Sequence, residues 1–580
     1  MSEATEKAAS IRLALPIGPI FTVLLLLLAS CERPGTLVGI HISEELRELI
    51  RAGREIAFPA LLPDFEEVVQ GLLTPLDEVE DARIAETVRR LLDPELAPIR
   101  AAGSLEGSIT HEEAAEEIGF LFDLFRVAYA GYGYFGGDEV FLPLRAAMLR
   151  DLRRMDDPLD LSAYLNDLLI PALQSVIADN HFAINGVTIS APSHRLYMSD
   201  AFVLRKTASG FGTETEGGTY AVVETMLGGN PVDAVLPTLT KEGELAWAFG
   251  LLSDSTSDML DLSVVFENTE TGERLSQAVV LNRERPERMP RAPMISTRTE
   301  RGVKIIESRD LSVDGKDDGD MLAVIEEFSR SGGDAAESPV VILDLRGNYG
   351  GSSVFPLHWL DAFVGKGGFT MSMARASYRL HSLTMREHYL ALYGQDLGAL
   401  ESLLGGAGDD EDGEDAGKNF GRIFLEWMRD PDGPAWTLPG AWSSGEAFLN
   451  ENPVIVLTDG NIASAGEDFV AFLRNLENAL FVGTNTSGTA VIGDNLTTPL
   501  PHSGITVYYG VMLSLRPDLS RHEGIGFKPD LWVPSGESLD RVLAFIERNG
   551  IRRQGGKTRC RIPADRAERS LENSIEVQYH

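Results

Sequence analysis

Three short stretches of nearly unbroken apolar residues constrain the fold of this chain most. They are Pro339-Val-Val-Ile-Leu-Asp-Leu345, Pro453-Val-Ile-Val-Leu-Thr458 and Ala479-Leu-Phe-Val482. Each is too short for a helix. A strand with one wet face would alternate apolar and polar residues, whereas a continuous run needs apolar cover on both faces. Helical patterns between the runs, Asp320 to Phe328 and the segment carrying Phe469, Phe472 and Leu476, can supply that cover. Val303-Lys-Ile-Ile-Glu307 reads as one more strand. Residues 296–550 are therefore expected to form an α/β layered core.

The rest of the chain has a different texture, so the fold class expected is α+β multidomain. Residues 31–199 read as mostly helical. Ser43 is placed to cap a helix that runs through Ala52 and stops at Gly53. Thr110 and Glu113 form a capping-box pattern ahead of Ile118, Phe120, Leu121, Leu124 and Phe125. That helix is expected to end in Tyr129–Gly137. There, Gly131 to Gly136 matches a dinucleotide-binding pattern by letter, but it follows a helix rather than a strand and lacks a βαβ unit. Residues 200–295 read as a small β-rich middle domain with strands at 220–224, 262–266 and 278–281, followed by a charged linker over 282–293. Between the first two apolar runs lies an insertion, about 378–445, containing Asp409, Asp410, Glu411, Asp412, Glu414 and Asp415. These acids lack the ligand spacing and turn of a calcium loop and read as a solvated segment. The aromatic stretches beside them (Tyr389, Tyr393, Phe420, Phe424, Trp427) could make a lid. Residues 551–580 read as a flexible tail.

The N-terminus reads as an address. Lys7 and Arg12 precede an uncharged run from Leu13 to Ser30. Pro16 and Pro19 disfavour a continuous spanning helix, and the most apolar part is short for a bilayer. Residues 1–30 are thus expected to be a signal peptide. Leu28-Ala29-Ser30-Cys31 resembles the bacterial lipobox, which implies lipidation at Cys31, export, and a membrane-anchored place in the cell envelope. The formal net charge of −37 over 580 residues would repel a phosphate backbone, so a nucleic-acid partner is not expected. It would also be repelled by anionic lipid, so contact with a membrane would run through the lipid anchor. Two cysteines, Cys31 and Cys560, allow neither a disulfide framework nor a Cys-based zinc site.

Two segments carry chemistry. Ser464 lies in Asn461-Ile-Ala-Ser-Ala-Gly-Glu467, between a buried strand and the helix that follows. A serine there sits over a helix N-terminus, where free N–H groups favour developing negative charge. The competing reading is structural, because Ser464 with Glu467 is also a capping box. Asp344-Leu-Arg-Gly-Asn-Tyr-Gly-Gly351 follows another buried strand, and its adjacent glycines let backbone N–H groups approach a ligand closely.

The second segment resembles the D-L-R-x-N-x-G-G signature of the tail-specific (C-terminal processing) serine proteases. Ala463-Ser-Ala-Gly-Glu467 resembles their A-S-A-x-E nucleophile motif. Gly524-Ile-Gly-Phe-Lys-Pro-Asp530 resembles their closing element, with extra residues before the Pro-Asp. The order agrees, and the resemblance covers about residues 300–540. It implies a serine endopeptidase that acts on polypeptides through an acyl-enzyme on Ser464, without cofactor or metal. In the Ser–Lys members a lysine follows the nucleophile by about two dozen residues. Thr489 stands at that place, and Lys528 is too far along the chain. A threonine hydroxyl cannot take the serine proton near neutral pH. A tricorn-core-like branch uses Ser–His–Glu instead. Asp179-Asn-His-Phe182 resembles its histidine segment, and Glu523 precedes Gly524 as its acid would. This implies Ser464 as nucleophile, His181 as base and acid, and Glu523 as orienting carboxylate, with backbone N–H groups of Gly350 or Gly351 and of Ala465 as oxyanion donors. His522 and His194 are rival bases, and Glu523 could instead pair with Arg521 or cap a turn. Many relatives carry a PDZ domain that binds peptide as an added strand, and the middle domain could be a degenerate version with its turn at Gly228-Gly-Asn-Pro-Val232. The alternative function is a catalytically silent peptide-binding module. A metallohydrolase is disfavoured, since His111-Glu-Glu-Ala-Ala115 lacks the second histidine of H-E-x-x-H.

Overall fold

The apolar runs become the centre of a six-stranded sheet. In spatial order its strands are Ser296–Glu300, Val303–Glu307, Val341–Asp344, Val454–Thr458, Ala479–Gly483 and Leu531–Trp532. The first pair is antiparallel and the rest are parallel, with Ile305, Ile342, Ile455 and Leu480 in register. This computed structural model describes residues 43–57, 62–72, 105–290, 293–312, 318–365, 378–381, 450, 452–515, 519 and 523–549.

Both faces of the sheet are covered, as the unbroken runs require. Val341, Leu343, Val454 and Val456 point to one face, where Phe328, Phe355, Trp359 and Phe469 pack from the helices Asp318–Ala336, Val354–Val364 and Ala465–Leu473. Their neighbours Ile342, Ile455 and Leu457 point to the other face, against Val542 and Phe545 of the helix Ser535–Asn549 and Leu46 and Ile50 of the helix Glu44–Ala57. Ser43 caps that last helix, its Oγ accepting Leu46 N–H at 3.3 Å. The helix does not stop at Gly53. A Cβ there would lie 2.1 Å from Asp530 Oδ1, so this glycine serves close approach to the core rather than helix termination.

A second core crosses the boundary expected between residues 31–199 and 296–550. The helix His111–Ala128 has the anticipated capping box, with Thr110 Oγ1 accepting Glu113 N–H at 3.3 Å and Glu113 Oε2 accepting Thr110 N–H at 2.9 Å. Its Phe122, Phe125 and the following Tyr129 pack with Phe141, Phe182, Val507, Tyr509 and Val511 in one cluster. The last three belong to the strand Thr506–Leu515, which pairs with Ile492–Pro499, with Tyr378–His381 and with Ala183–Ile184. The helical region is thus closed by strands from the C-terminal half, and the segment after His181 enters their sheet. The glycine-rich stretch is a helix exit followed by the short helix Gly131–Tyr134, with no strand before it.

The middle region is a ring of strands, Arg195–Thr207, Gly210–Thr215, Gly218–Leu227, Met259–Asn268 and Arg274–Arg283, closed where Asn282 and Arg283 pair with Met198 and Tyr197. Leu245–Ser253 and Val235–Leu239 extend the sheet from the first strand. Tyr197, Phe249, Phe266 and Leu281 fill the interior. No helix lies between Arg195 and Arg283. The stretch after it is tied to the core: Glu284 Oε1 accepts Ser535 N–H at 3.0 Å and Ser535 Oγ–H at 2.6 Å. Of the insertion at 378–445, only the strand Tyr378–His381 is described; the acidic run and aromatic stretches lie outside the described residues, as do residues 1–30, Cys31 and residues 551–580. Among the described residues no helix is long and apolar enough to cross a membrane.

Candidate active site

Ser464 ends the connection from the buried strand Val454–Thr458 and opens the helix Ala465–Leu473. Its φ is +51° and its ψ −126°. A side chain at positive φ costs about 1–3 kcal/mol and persists only where neighbours impose it. The hydroxyl is not spent as a helix cap. This separates the two readings of Ser464-x-x-Glu467. In a capping box Glu467 would reach back to the Ser464 N–H. Here Glu467 turns into the core and holds the loop 486–489. Its Oε1 accepts Thr486 Oγ1–H and, at 2.8 Å, Gly488 N–H, and its Oε2 accepts Thr489 N–H at 2.5 Å. Burial raises the Glu467 carboxyl, and these donors partly offset the rise.

The glycine-rich segment lies directly against the serine. A Cβ on Gly350 would sit 2.6 Å from Ala463 O, 2.8 Å from Ser464 Cβ and 3.0 Å from Ala465 N. Asn348 fixes this approach, its backbone O accepting Ala463 N–H at 2.9 Å and its Oδ1 accepting Gly350 N–H at 2.9 Å. Gly350 N–H is therefore engaged. The N–H groups of Gly351 and Ala465 make no hydrogen bond to another described residue. At the start of the segment, Asp344 binds Arg346 Nη2 at 2.7 Å through Oδ2 and takes two bonds from Arg309, at 2.8 and 2.7 Å. Burial alone would raise Asp344, but the bonds from Arg346 and Arg309 win and hold it at about 2. The acid and both arginines are buried, so this part of the motif is a scaffold under the glycines.

The loop 486–489 draws the distant segments together. Gly488 O accepts Asn180 Nδ2–H at 2.7 Å and Gly524 N–H at 2.8 Å. Thr489 Oγ1 accepts Ser464 N–H at 2.6 Å. Asn180 N–H donates to Glu523 Oε1 at 2.9 Å. The segments carrying Ser464, His181 and Glu523 thus converge on four consecutive residues. His181 is held from behind, its N–H donating to Asp179 Oδ1 at 2.7 Å while Tyr129 Oη–H donates to Oδ2 at 2.9 Å. Burial lowers the His181 imidazole, against smaller raising effects from the Ile492 backbone and the charge of Asp468 on the Ser464 helix. Burial and then the charge of Asp179 push Glu523 well above the ordinary carboxylate range. His181 Nδ1 and Glu523 Oε2 are both shielded from solvent and take no bond from a described residue. Glu523 therefore binds the backbone beside His181 rather than its ring. His194 N–H donates to Gly524 O at 2.7 Å, while Arg521 and His522 lie outside the described residues.

Residues 306–533 match Peptidase family S41. This is a serine-type peptidase. The peptidase match spans the Asp344–Gly351 segment, Ser464, Thr489 and Glu523, and begins after the His181 segment. Among solved structures the chain is similar to mature CPAF at 15% identity, covering 76% of this chain and 95% of that one with a TM-score of 0.37. It is similar to the photosystem II D1 C-terminal processing protease at 13% identity, covering 74% and 97% with a TM-score of 0.31. Similarity to the tricorn protease is at 13% identity, covering 76% and 37% with a TM-score of 0.28. At such TM-scores these likenesses assign neither residue roles nor substrates.

Sequence reasoning missed three contributors to the site. In the sequence Thr489 stands out only as a departure from lysine, Asn180 only as a neighbour of His181, and Asp468 not at all. A helix period places Asp468 on the turn after Ser464, which is the one signal that could have pointed to it. The bonds of Thr489 and Asn180 join residues 25 and 308 positions apart, and no local pattern encodes them. Among the described residues no cluster of His, Cys, Asp or Glu could hold a metal ion.

Proposed function

We propose that the chain is a serine endopeptidase of the cell envelope, anchored by a lipid on Cys31, that cleaves polypeptides through an acyl-enzyme on Ser464. The observation that carries the reading is the Ser464 elbow: a positive-φ serine at a helix start, with its hydroxyl unspent and bare glycine backbone against it. Ser464 Oγ attacks the scissile carbonyl carbon, and its proton passes to His181. The tetrahedral oxyanion then forms against the N–H groups of Gly351 and Ala465 at the helix N-terminus. Collapse of the intermediate expels the amine, which takes the proton from His181, and water repeats the sequence to release the acid. A part-buried imidazole whose pKa is lowered is neutral near pH 7 and able to accept that proton. Glu523 orients His181 once its free Oε2 meets the free Nδ1. Catalytic hydrogen bonds are often loose before substrate is bound, and closing this one is the step that a bound peptide would complete. The envelope location rests on residues 1–31 alone.

The test is covalent labelling by a fluorophosphonate. The wild type should label, Ser464→Ala should not, and His181→Ala should label at least ~10³-fold more slowly. Undiminished labelling of Ser464→Ala would sink the nucleophile assignment. Palmitate incorporation that survives Cys31→Ser would sink the anchor.

A further inference from the structure

The N–H of Ser464 is held by a bond that the reaction itself does not use. A non-glycine residue at φ +51° relaxes unless something prevents it. The helix holds only the C=O side of Ser464, which accepts Glu467 N–H at 2.7 Å and Asp468 N–H at 3.1 Å, and it offers no partner to the N–H groups at its start. Ala463 N–H is tied to Asn348 O at 2.9 Å, which fixes the peptide before the serine. The Ser464 N–H itself goes to Thr489 Oγ1 at 2.6 Å.

The direction of that bond is set on its far side. Thr489 has one hydroxyl proton, and the Oε2 of Glu467 lies 3.1 Å from Oγ1 as its acceptor. With the proton given to Glu467, a lone pair on Oγ1 is left for the Ser464 N–H. Thr489 cannot swing away, because its own N–H is bound to the same Oε2 at 2.5 Å and its β-branched side chain is stiff about χ1. Glu467 is fully buried one turn along the helix that Ser464 opens. The bonds therefore form a closed ring: Ser464 to Thr489, Thr489 to Glu467, and Glu467 back through the helix to Ser464.

We propose that Thr489 is a positioning residue whose hydroxyl clamps the Ser464 backbone at positive φ, so that Oγ points out of the elbow and Ala465 N–H stays free for the oxyanion. This rests on Ser464 being the nucleophile. Without the hydroxyl, the Ser464 N–H loses its acceptor in a part-buried site, and rotation of the 463–464 peptide relieves both that loss and the strain.

Thr489→Val keeps the shape and removes the acceptor; Thr489→Ser keeps the acceptor. Two readouts apply to the full chain. The first is hydrogen exchange at the Ser464 amide, followed by mass spectrometry. It should be protected in the wild type and in Thr489→Ser, and at least tenfold faster in Thr489→Val. The second is fluorophosphonate labelling resolved into binding and chemical steps. Thr489→Val should lose ~10²-fold in the chemical step, as expected for a misplacement of about 1 Å, with the binding constant within threefold. Thr489→Ser should restore the chemical step to within threefold. Equal protection of the amide in Thr489→Val and the wild type overturns the clamp. So does protection lost with labelling chemistry kept. A wild type that does not label would refute the nucleophile assignment instead, and amide exchange would then decide the clamp by itself.

Discussion

Replacing Gly350 by alanine tests the architecture of the site most directly. The new methyl would lie 2.6 Å from Ala463 O, 2.8 Å from Ser464 Cβ and 3.0 Å from Ala465 N. All three atoms belong to the elbow, and two are backbone, so nothing flexible can yield. Gly350 also has φ +96°, where a side chain costs about 1–2 kcal/mol. Crowding a packed interior by one methyl costs typically 1–3 kcal/mol more. The two together predict a loss of about 2–5 kcal/mol in stability. Gly302 supplies a control, with φ +78° and no described atom within 4 Å of its added Cβ. Gly302→Ala should show the conformational cost alone, lowering the melting temperature by about 2–8 °C with labelling unchanged. In Gly350→Ala the elbow must move aside, and a displacement near 1 Å should slow fluorophosphonate labelling ~10²-fold. Thermal melting and labelling of both variants at one temperature give the comparison. If Gly350→Ala labels within threefold of the wild type, the glycine does not have to lie against Ser464 and the site geometry is wrong.

Four further outcomes follow from the charged and titrating groups. Asp344→Asn should destabilise by about 3–5 kcal/mol in denaturant titration, because it strips the partner from buried Arg309 and Arg346; a change under 1 kcal/mol would refute the scaffold role. Asp179 is raised by burial to about 6, so its contribution to stability is present below about pH 4 and lost as pH rises through 6. Asp179→Asn should therefore gain on the wild type by about 3 kcal/mol between pH 4 and 7, and a constant difference would contradict this. Labelling should fall in acid with a midpoint below the ordinary histidine value of about 6.5, since burial lowers His181. Asp468→Asn should move that midpoint lower still by removing a charge that raises it, and an upward shift would show that another group governs the limb.

Much of the fold was legible because its signals are local. The runs at 339–345, 453–458 and 479–482 became the strands Val341–Asp344, Val454–Thr458 and Ala479–Gly483, since unbroken apolar strands have few solutions other than a sheet covered on both faces. The Thr110 capping box formed as read. Gly53 misled, because a glycine that ends a helix and one that admits a neighbouring chain look alike in sequence. That Phe125 and Phe182 share a cluster with Val507 and Tyr509 of the C-terminal half was not legible in the sequence. Pairing over such separations is a property of packing and leaves no periodic trace.

By itself the sequence determined that a serine would stand at a strand-to-helix junction near a glycine-rich backbone, because residue type and local period suffice for that. It also put Thr489 at the place where the Ser–Lys members carry their lysine, which makes a base other than lysine an expectation for this chain. What Ser464 does with its hydroxyl was left open between a cap and a nucleophile. Only the tertiary structure decided against the cap, by turning Glu467 into the core and giving the Ser464 N–H to Thr489. It likewise brought Asn180 and Gly524 to one carbonyl at Gly488. The physical reason is that a hydrogen bond is fixed by where two atoms meet in space, whereas the chain encodes locally only the elements that carry them.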